Sequence, residues 1–163
     1  MIDEEILKEF VEESRVNLSE LENILEELED DCLQISKYAD FGQIIDRIMG
    51  AAKSIGAEEI GLFCELGKKI GYKASQIEDQ KILTIVVAVL FDSIDLLKKM
   101  ISSLEEGNNK ILTQLNTQAF ASRLKWVSEK FKHIERSSCD VEAGEDADLS
   151  QDNIDKLLES LDL

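Results

Sequence analysis

Large apolar residues recur at helical spacing along most of the chain, and this pattern predicts five helices. In the first segment, residues 3–31, they return every three, four or seven positions with acidic residues between them. This period is typical of an amphipathic helix with one buried face. The other predicted helices lie at about residues 41–54, 57–71, 76–105 and 115–135, and the predicted buried stripe of the last one comprises Phe120, Leu124, Val127 and Phe131.

Capping residues predict where these helices begin. Asp3 precedes the first helix, and the two acidic residues that follow it suit the positive end of the helix dipole. Residues 32–38 are predicted to form a connection, and Asp40 is the predicted cap of the second helix. Ser75 is predicted to cap the fourth helix, because a short hydroxyl side chain can accept a hydrogen bond from a free backbone N–H.

The fourth segment indicates how the helices are arranged. Its run "ILTIVVAVLFDSIDLLKKMI" is apolar nearly all round at first, which is typical of a helix in the middle of a bundle. The β-branched stretch "TIVVAV" also has strand propensity, but the chain offers no second strand to pair with it. With no proline and eight glycines, the chain is predicted to be all-α, an antiparallel bundle of four or five helices over residues 1–135.

The composition changes after the bundle. Residues 136–148 are acidic, small and almost free of large apolar side chains, so they are predicted to be a disordered linker. Residues 149–163 then have the pattern of a short amphipathic helix, with Ile154, Leu157, Leu158 and Leu161 on one face. Two interpretations remain open: this helix binds a groove on another protein, or it packs back on its own bundle.

Charge and composition exclude several classes of partner. The net charge is −17, and both nucleic acids and anionic membrane surfaces require a basic patch. No apolar run reaches the length of a membrane span, and the acidic N-terminus is unlike a signal peptide, so a cytoplasmic protein is expected. Three cysteines without a C-x-x-C pair and a single histidine argue against a disulfide framework and a structural metal site.

The segment "SQDNIDKLLESL" resembles two known peptides. It is similar to the C-terminal peptide with which the CheZ phosphatase family binds the chemotaxis response regulator CheY, and to the N-terminal CheY-binding segment of the flagellar switch protein FliM. Its place at the end of the sequence favours the CheZ version. The matching residues, which the resemblance implies bind a CheY-type response regulator, are Ser150, Gln151, Asp152, Ile154, Asp155, Leu157, Leu158, Ser160 and Leu161.

Residues 5–70 resemble histidine phosphotransfer (Hpt) domains. "ILKEFVEESRVNLSELENILEELE" is similar to the first helix of that family, and "IIDRIMGAAKSIGAEEI" follows the Hpt pattern "AHxLKGSAxxLGAEEL" without a gap. The phosphoacceptor histidine of the pattern falls on Asp46 and its lysine falls on Met49. Because a carboxylate cannot form a phosphoramidate, the domain resembles an Hpt domain that has lost phosphotransfer. The single histidine, His133, lies outside the motif.

The second helix carries the candidate chemistry. Gln43, Asp46, Arg47 and Gly50 lie at spacings of three, four and seven, so they share a face. Gly50 lacks a side chain and would let a partner's backbone come close. In the Hpt pattern this face meets the response regulator, and in the CheZ family an Asp engages the regulator's lysine while a Gln orients the attacking water. The resemblance therefore implies roles for Gln43 and for an acid nearby.

Which acid accompanies Gln43 stays open. "DFGQIIDRIM" resembles a CheZ segment, but Asp40 and Gln43 are three positions apart where that motif has four. Asp46 is the alternative acid. Two other candidate pairs are Asp30 with Gln34 and Glu20 with Asn23.

The sequence thus predicts a chemotaxis protein that binds a CheY-type response regulator and promotes loss of its aspartyl phosphate. The alternative is a non-catalytic adaptor or sink for a regulator. No cofactor of its own is expected, since Mg²⁺ would be held by the partner. Whether the bundle forms a homodimer is left open.

Overall fold

The computed structural model describes residues 2–108, 118–135 and 156, with the side chains of residues 120–132 in the last helix. Within these residues it has five helices and no strand, so the all-α prediction is confirmed. The helices are α1 (Glu4–Asp30), α2 (Ile35–Ser54), α3 (Glu58–Ala74), α4 (Gln80–Glu105) and α5 (Gln118–Glu135). The predicted linker 136–148 lies outside the described residues, as does the predicted helix 149–163 except for Lys156, which is helical and exposed.

One of the three predicted caps is confirmed and two are wrong. The Asp3 carboxylate accepts hydrogen bonds from the backbone N–H groups of Glu5 at 3.0 Å and Ile6 at 3.3 Å. Ser75 does not cap α4, because its backbone is helical and it ends α3 instead. Asp79, with an extended backbone, caps α4 and accepts from the N–H groups of residues 81 and 82.

The second helix begins earlier than predicted. It starts at Ile35, so Asp40 lies inside α2 and is not its cap, and residues 35–38 are not part of a connection. The physical reason is burial. Tyr38 and Phe41 are both fully buried on one face of α2, and extending the helix backwards is what brings the Tyr38 ring into the core.

Four helices close into a bundle. Short connections join α1 to α2, α2 to α3 and α3 to α4, and each helix packs against the next in the chain. The bundle closes where α4 packs against α1 in an antiparallel register, with Arg15 beside Glu105 and Cys32 beside Gln80. The antiparallel arrangement follows because short connections make consecutive helices reverse direction.

The core lies between these four helices, and α5 covers one side of it. The central position predicted for α4 is confirmed, since α4 contacts α1, α3 and α5 and buries apolar side chains along its whole length. The predicted stripe of α5 is buried at all four positions. Phe120 of α5 contacts Phe63 of α3, with ring centroids 5.6 Å apart. In the described part of the chain, no helix is long and apolar enough to cross a membrane.

Candidate functional site: the groove between α2 and α3

A groove of about 280 Å³ lies between α2 and the C-terminal half of α3. It contains Gln43 and Asp46, two of the three residues that the sequence suggested for catalysis. Both side chains are exposed, as a residue that meets a partner must be. The residues lining the groove are Tyr38, Ala39, Gly42, Gln43, Asp46, Lys68, Tyr72 and Ser75.

Two glycines shape this groove. A Cβ atom at Gly71 of α3 would lie 3.2 Å from the carbonyl oxygen of Tyr38 and 3.4 Å from the Phe41 ring. The absence of a side chain there lets α3 approach the backbone of α2 closely. Gly42 has the opposite surroundings, because a Cβ atom there would meet nothing within 4 Å. The close approach at Gly71 and the open space at Gly42 together leave the groove accessible.

An ion pair spans the groove. The Lys68 ammonium of α3 donates to the Asp46 carboxylate of α2 at 2.6 Å, and the two side chains are 45% and 48% exposed. A pair this exposed contributes little to stability, so its partners can be exchanged at small cost. Asp46 is therefore held in place in the free protein but stays available to another cation.

The other residues of the predicted face of α2 do not line the groove. Arg47 is exposed and lies 3.9 Å from Glu20 of α1. Gly50 is exposed with open space around its Cα, one turn beyond the groove. Asp40 is exposed but does not line the groove. Gln43 and Asp46 therefore line the same groove. Arg47, Gly50 and Asp40 do not.

Asp40 lies near a different cation. The pKa of Lys37 is raised mainly by its hydrogen bond and charge interaction with Glu27, and Asp40 adds a smaller contribution of the same sign. The ammonium of Lys37 and the carboxylate of Glu27 are 2.5 Å apart. Asp40 therefore belongs to the electrostatic surroundings of the start of α2.

The groove residues contributed by α3 were not among the site residues predicted from the sequence. Lys68, Tyr72 and the C-cap Ser75 lie in the C-terminal half of α3. Tyr72 is a large aromatic residue that is 62% exposed. Lys68 and Tyr72 are four positions apart and so share a helix face, which is the signal that could have pointed to them.

Tyr38 joins the groove to the core. Its ring is fully buried, and its hydroxyl donates to the carbonyl oxygen of Cys32 at 2.8 Å. Burial raises the pKa of Tyr38 well above its ordinary value, with smaller contributions from Cys32 and Asp31. Tyr38 is therefore a neutral structural donor, and Tyr72 is the exposed phenol of the groove.

Other reactive groups lie away from the groove. Cys64 is fully buried in the core, and burial raises the pKa of its thiol. A thiol in this state is a poor nucleophile. Within the described residues, no group of three or more His, Cys, Asp or Glu side chains could hold a metal ion. The chemistry available in the groove is therefore that of one amide, one carboxylate, one ammonium and an exposed phenol.

The two other candidate pairs are placed less favourably. The amide nitrogen of Gln34 donates to the carbonyl oxygens of Glu27 at 3.0 Å and Asp31 at 3.3 Å, so it is engaged at the end of α1. Glu20 is paired with Arg47, and Asn23 is exposed on α1. Of these candidate side chains, only Gln43 and Asp46 line the groove between α2 and α3.

The residues predicted to bind a partner in the C-terminal segment lie outside the described residues. They are Ser150, Gln151, Asp152, Ile154, Asp155, Leu157, Leu158 and Leu161.

Comparisons of the chain with protein-family models, curated proteins and solved structures give no match. The resemblance to Hpt domains and to CheY-binding peptides stays a prediction that rests on the motifs quoted for it.

Proposed function

We propose that this protein binds a CheY-type response regulator and accelerates hydrolysis of its aspartyl phosphate. The C-terminal segment 149–163 binds the regulator, and the groove between α2 and α3 meets the regulator's active site. The phosphoryl group and Mg²⁺ are both held by the regulator. The protein contributes positioned side chains and no cofactor.

The observation that carries the proposal is the pairing of an exposed amide with an exposed carboxylate in one groove. Gln43 and Asp46 line it together. The amide of Gln43 can donate to and accept from a water molecule, and it makes no hydrogen bond among the described residues. Holding a water in line with the phosphorus atom is a large part of catalysis of phosphoryl transfer.

Asp46 takes the role of docking residue. It is already paired with Lys68 at 2.6 Å, in a position half exposed to solvent. A lysine in the regulator's active site exchanges with Lys68 when the two proteins meet. The exchange replaces one charge pair by another, so it needs little net free energy. Asp40 lies outside the groove and has no role in this step.

The C-terminal segment supplies most of the affinity. Its leucine and isoleucine face is buried on the regulator, and its acidic face meets a basic rim. A linker of about a dozen residues gives an effective concentration on the order of millimolar at the second contact. A weak contact in the groove is then sufficient for turnover.

The same ion pair favours a second candidate function, a non-catalytic adaptor or sink. In that case Asp46 serves only to hold Lys68, and the groove serves only as a contact surface. No acceleration of phosphate loss accompanies binding, and Gln43 is without effect. In both functions the protein accepts no phosphate, because Asp46 stands where an Hpt domain has its histidine.

The test is a phosphate-release assay on a phosphorylated CheY-type regulator with saturating amounts of this protein. We expect acceleration by the wild type and loss of most of it in Gln43→Ala, with binding unchanged. Binding without acceleration identifies the adaptor. Absence of both binding and acceleration excludes the regulator as a partner.

A further inference from the structure

The outward surface of α5 differs in charge from the rest of the protein. Residues 118–135 contain four basic side chains and two acidic ones, while the whole chain has a net charge of −17. α1, by contrast, contains eleven acidic and two basic side chains. The basic residues of α5 are Arg123, Lys125, Lys130 and Lys132.

The helix that carries these residues is packed against the rest of the bundle. The opposite face of α5 is buried through its apolar stripe, and Arg123 pairs with Asp92 of α4. Lys125 and Lys132 are seven positions apart along one edge of the outward surface, and both are partly exposed. Neither has an ion-pair partner among the described residues. Two cationic groups therefore lie on the outward side of a helix whose other side is packed against the bundle.

An aromatic residue lies on the other edge of the same surface. Trp126 is partly exposed, and the Lys130 ammonium lies 5.3 Å from the centre of its ring. The indole offers apolar area, and the lysines offer charge. A segment that fits this surface must be acidic and also carry large apolar side chains.

We propose that the outward surface of α5 is a docking surface for the acidic C-terminal segment of the same chain, residues 140–163. This segment contains nine acidic side chains and one lysine, together with the isoleucine and leucines of its last part. Because this segment is acidic, its binding to the acidic helix α1 is disfavoured. Among the five helices, α5 has the most positive net charge. This interaction does not depend on any regulator.

The length of chain permits this docking. Four residues lie between the end of α5 at Glu135 and Asp140, and the five Cα–Cα steps across them span up to about 17 Å when extended. The acidic residues 140–148 can then run back along α5, whose 18 residues are about 27 Å long. A connection this short gives a high effective concentration, so weak individual contacts are enough to populate the docked state.

Trp126 reports directly on this docking because it is the only tryptophan in the chain. The experiment measures acrylamide quenching of its fluorescence in the full-length protein. The comparison variant has Asp140→Asn, Glu142→Gln, Glu145→Gln, Asp146→Asn and Asp148→Asn, which keeps the length and the bundle intact. We expect the quenching constant to rise about twofold in this variant, because the indole loses its cover.

Salt and charge reversal complete the test. About 0.5 M NaCl should raise quenching in the wild type to the level of the neutralised variant and leave that variant unchanged. Lys125→Glu with Lys132→Glu should act like the neutralised variant. The control, Lys8→Glu with Lys99→Glu, alters exposed lysines on α1 and α4 and should behave like the wild type.

Three outcomes would overturn the proposal. Equal quenching in all proteins means that the segment does not cover α5. An equal rise in the control pair means that only net charge matters. Protection of Trp126 that disappears on dilution means that the segment comes from a second copy of the chain.

Discussion

Two grooves between neighbouring helices in the described part of the protein differ in which side chains are free to contact a ligand. The groove between α1 and α4 is the larger of these two, about 360 Å³, and each charged side chain that lines it is in an ion pair. Arg15 pairs with Glu105, and Lys98 pairs with Glu22. The smaller groove between α2 and α3 also has an ion pair, but it adds the amide of Gln43 and the exposed ring of Tyr72.

This difference shows that size alone does not identify a functional site. In the larger groove each of the three charged side chains of the lining is already in an ion pair, so a ligand would have to compete with contacts already made. In the smaller groove an amide and an aromatic ring have no such competitor among the described residues. If the smaller groove is the functional one, substitutions in it should affect the regulator more than matched substitutions elsewhere.

The largest effect is expected from Gln43→Ala. Loss of one positioned polar group should slow the saturating rate of regulator dephosphorylation about a hundredfold. Affinity should change little, since the C-terminal segment carries most of it. The measurement is phosphate release at saturating protein.

Two controls belong to that experiment. Ser102→Ala removes a hydroxyl from the groove between α1 and α4 and should leave the rate unchanged. Asn23→Ala removes an exposed amide from α1. A slow Asn23→Ala protein beside a fully active Gln43→Ala protein would move the site from α2 to α1.

A bulky residue at Gly42 should block the smaller groove. Space around Gly42 is open, so Gly42→Phe can fold without a clash at its Cβ atom. We expect the affinity of the groove for the regulator to fall about tenfold, because one contact is blocked. Titration with a phosphorylated regulator, monitored by the rate of phosphate release, measures it.

Gly50→Phe is the matched variant for this test. Gly50 is equally open and lies on the same helix but outside the groove. A smaller loss for Gly50→Phe is expected. A larger loss would place the regulator further along α2, nearer the position suggested by the Hpt pattern.

Tyr38→Phe should lower the free energy of unfolding by about 1 kcal/mol at neutral pH, because the carbonyl of Cys32 loses a buried donor. Tyr72→Phe, on the exposed side of the groove, should leave it unchanged. Equilibrium denaturation with urea measures both.

The pH dependence of stability tests the burial of Tyr38. The pKa of Tyr38 is raised by burial from an ordinary value of 10.0, so the folded state holds the proton more tightly than the unfolded state. Its stabilising contribution is complete below pH 10.0 and is lost as the pH rises above it. Denaturation above that pH should therefore lose stability less steeply in Tyr38→Phe than in the wild type. An unchanged slope would assign the alkaline loss to Cys64, whose pKa is raised in the same direction.

The smallest effect is expected from the two exposed lysines that face the grooves. Lys68 and Lys98 are each 45% exposed and each paired with one carboxylate. Lys68→Ala and Lys98→Ala should each lower the free energy of unfolding by less than about 1 kcal/mol, and less at high salt. Only Lys68→Ala should change docking of the regulator, because it frees Asp46. If both variants dock the regulator equally well, the groove between α2 and α3 has no special role in docking.

The C-terminal part of the protein, apart from Lys156, lies outside the described residues, and its helix is a prediction from the sequence. The face of Ile154, Leu157, Leu158 and Leu161 is a prediction from period and resemblance. The basic surface of α5, by comparison, needed the structure. Its lysines are visible in the sequence, but their exposure depends on which face of α5 the core buries.

The sequence determined the class of fold and most of the helices. The period of apolar residues is a local property, so it identified five helices and the buried stripe of α5. It also identified the polar face of α2, since residues three and four apart share a face in any helix. Gln43 and Asp46 were found in this way.

Which residues of other helices surround that face depends on the tertiary structure. Lys68 is 22 positions from Asp46, and no local pattern joins them. The start of α2 likewise depends on the burial of Tyr38 in a core made by other helices. α3 also approaches the backbone of α2 closely at Gly71, and such a contact between distant segments is set by packing rather than by period.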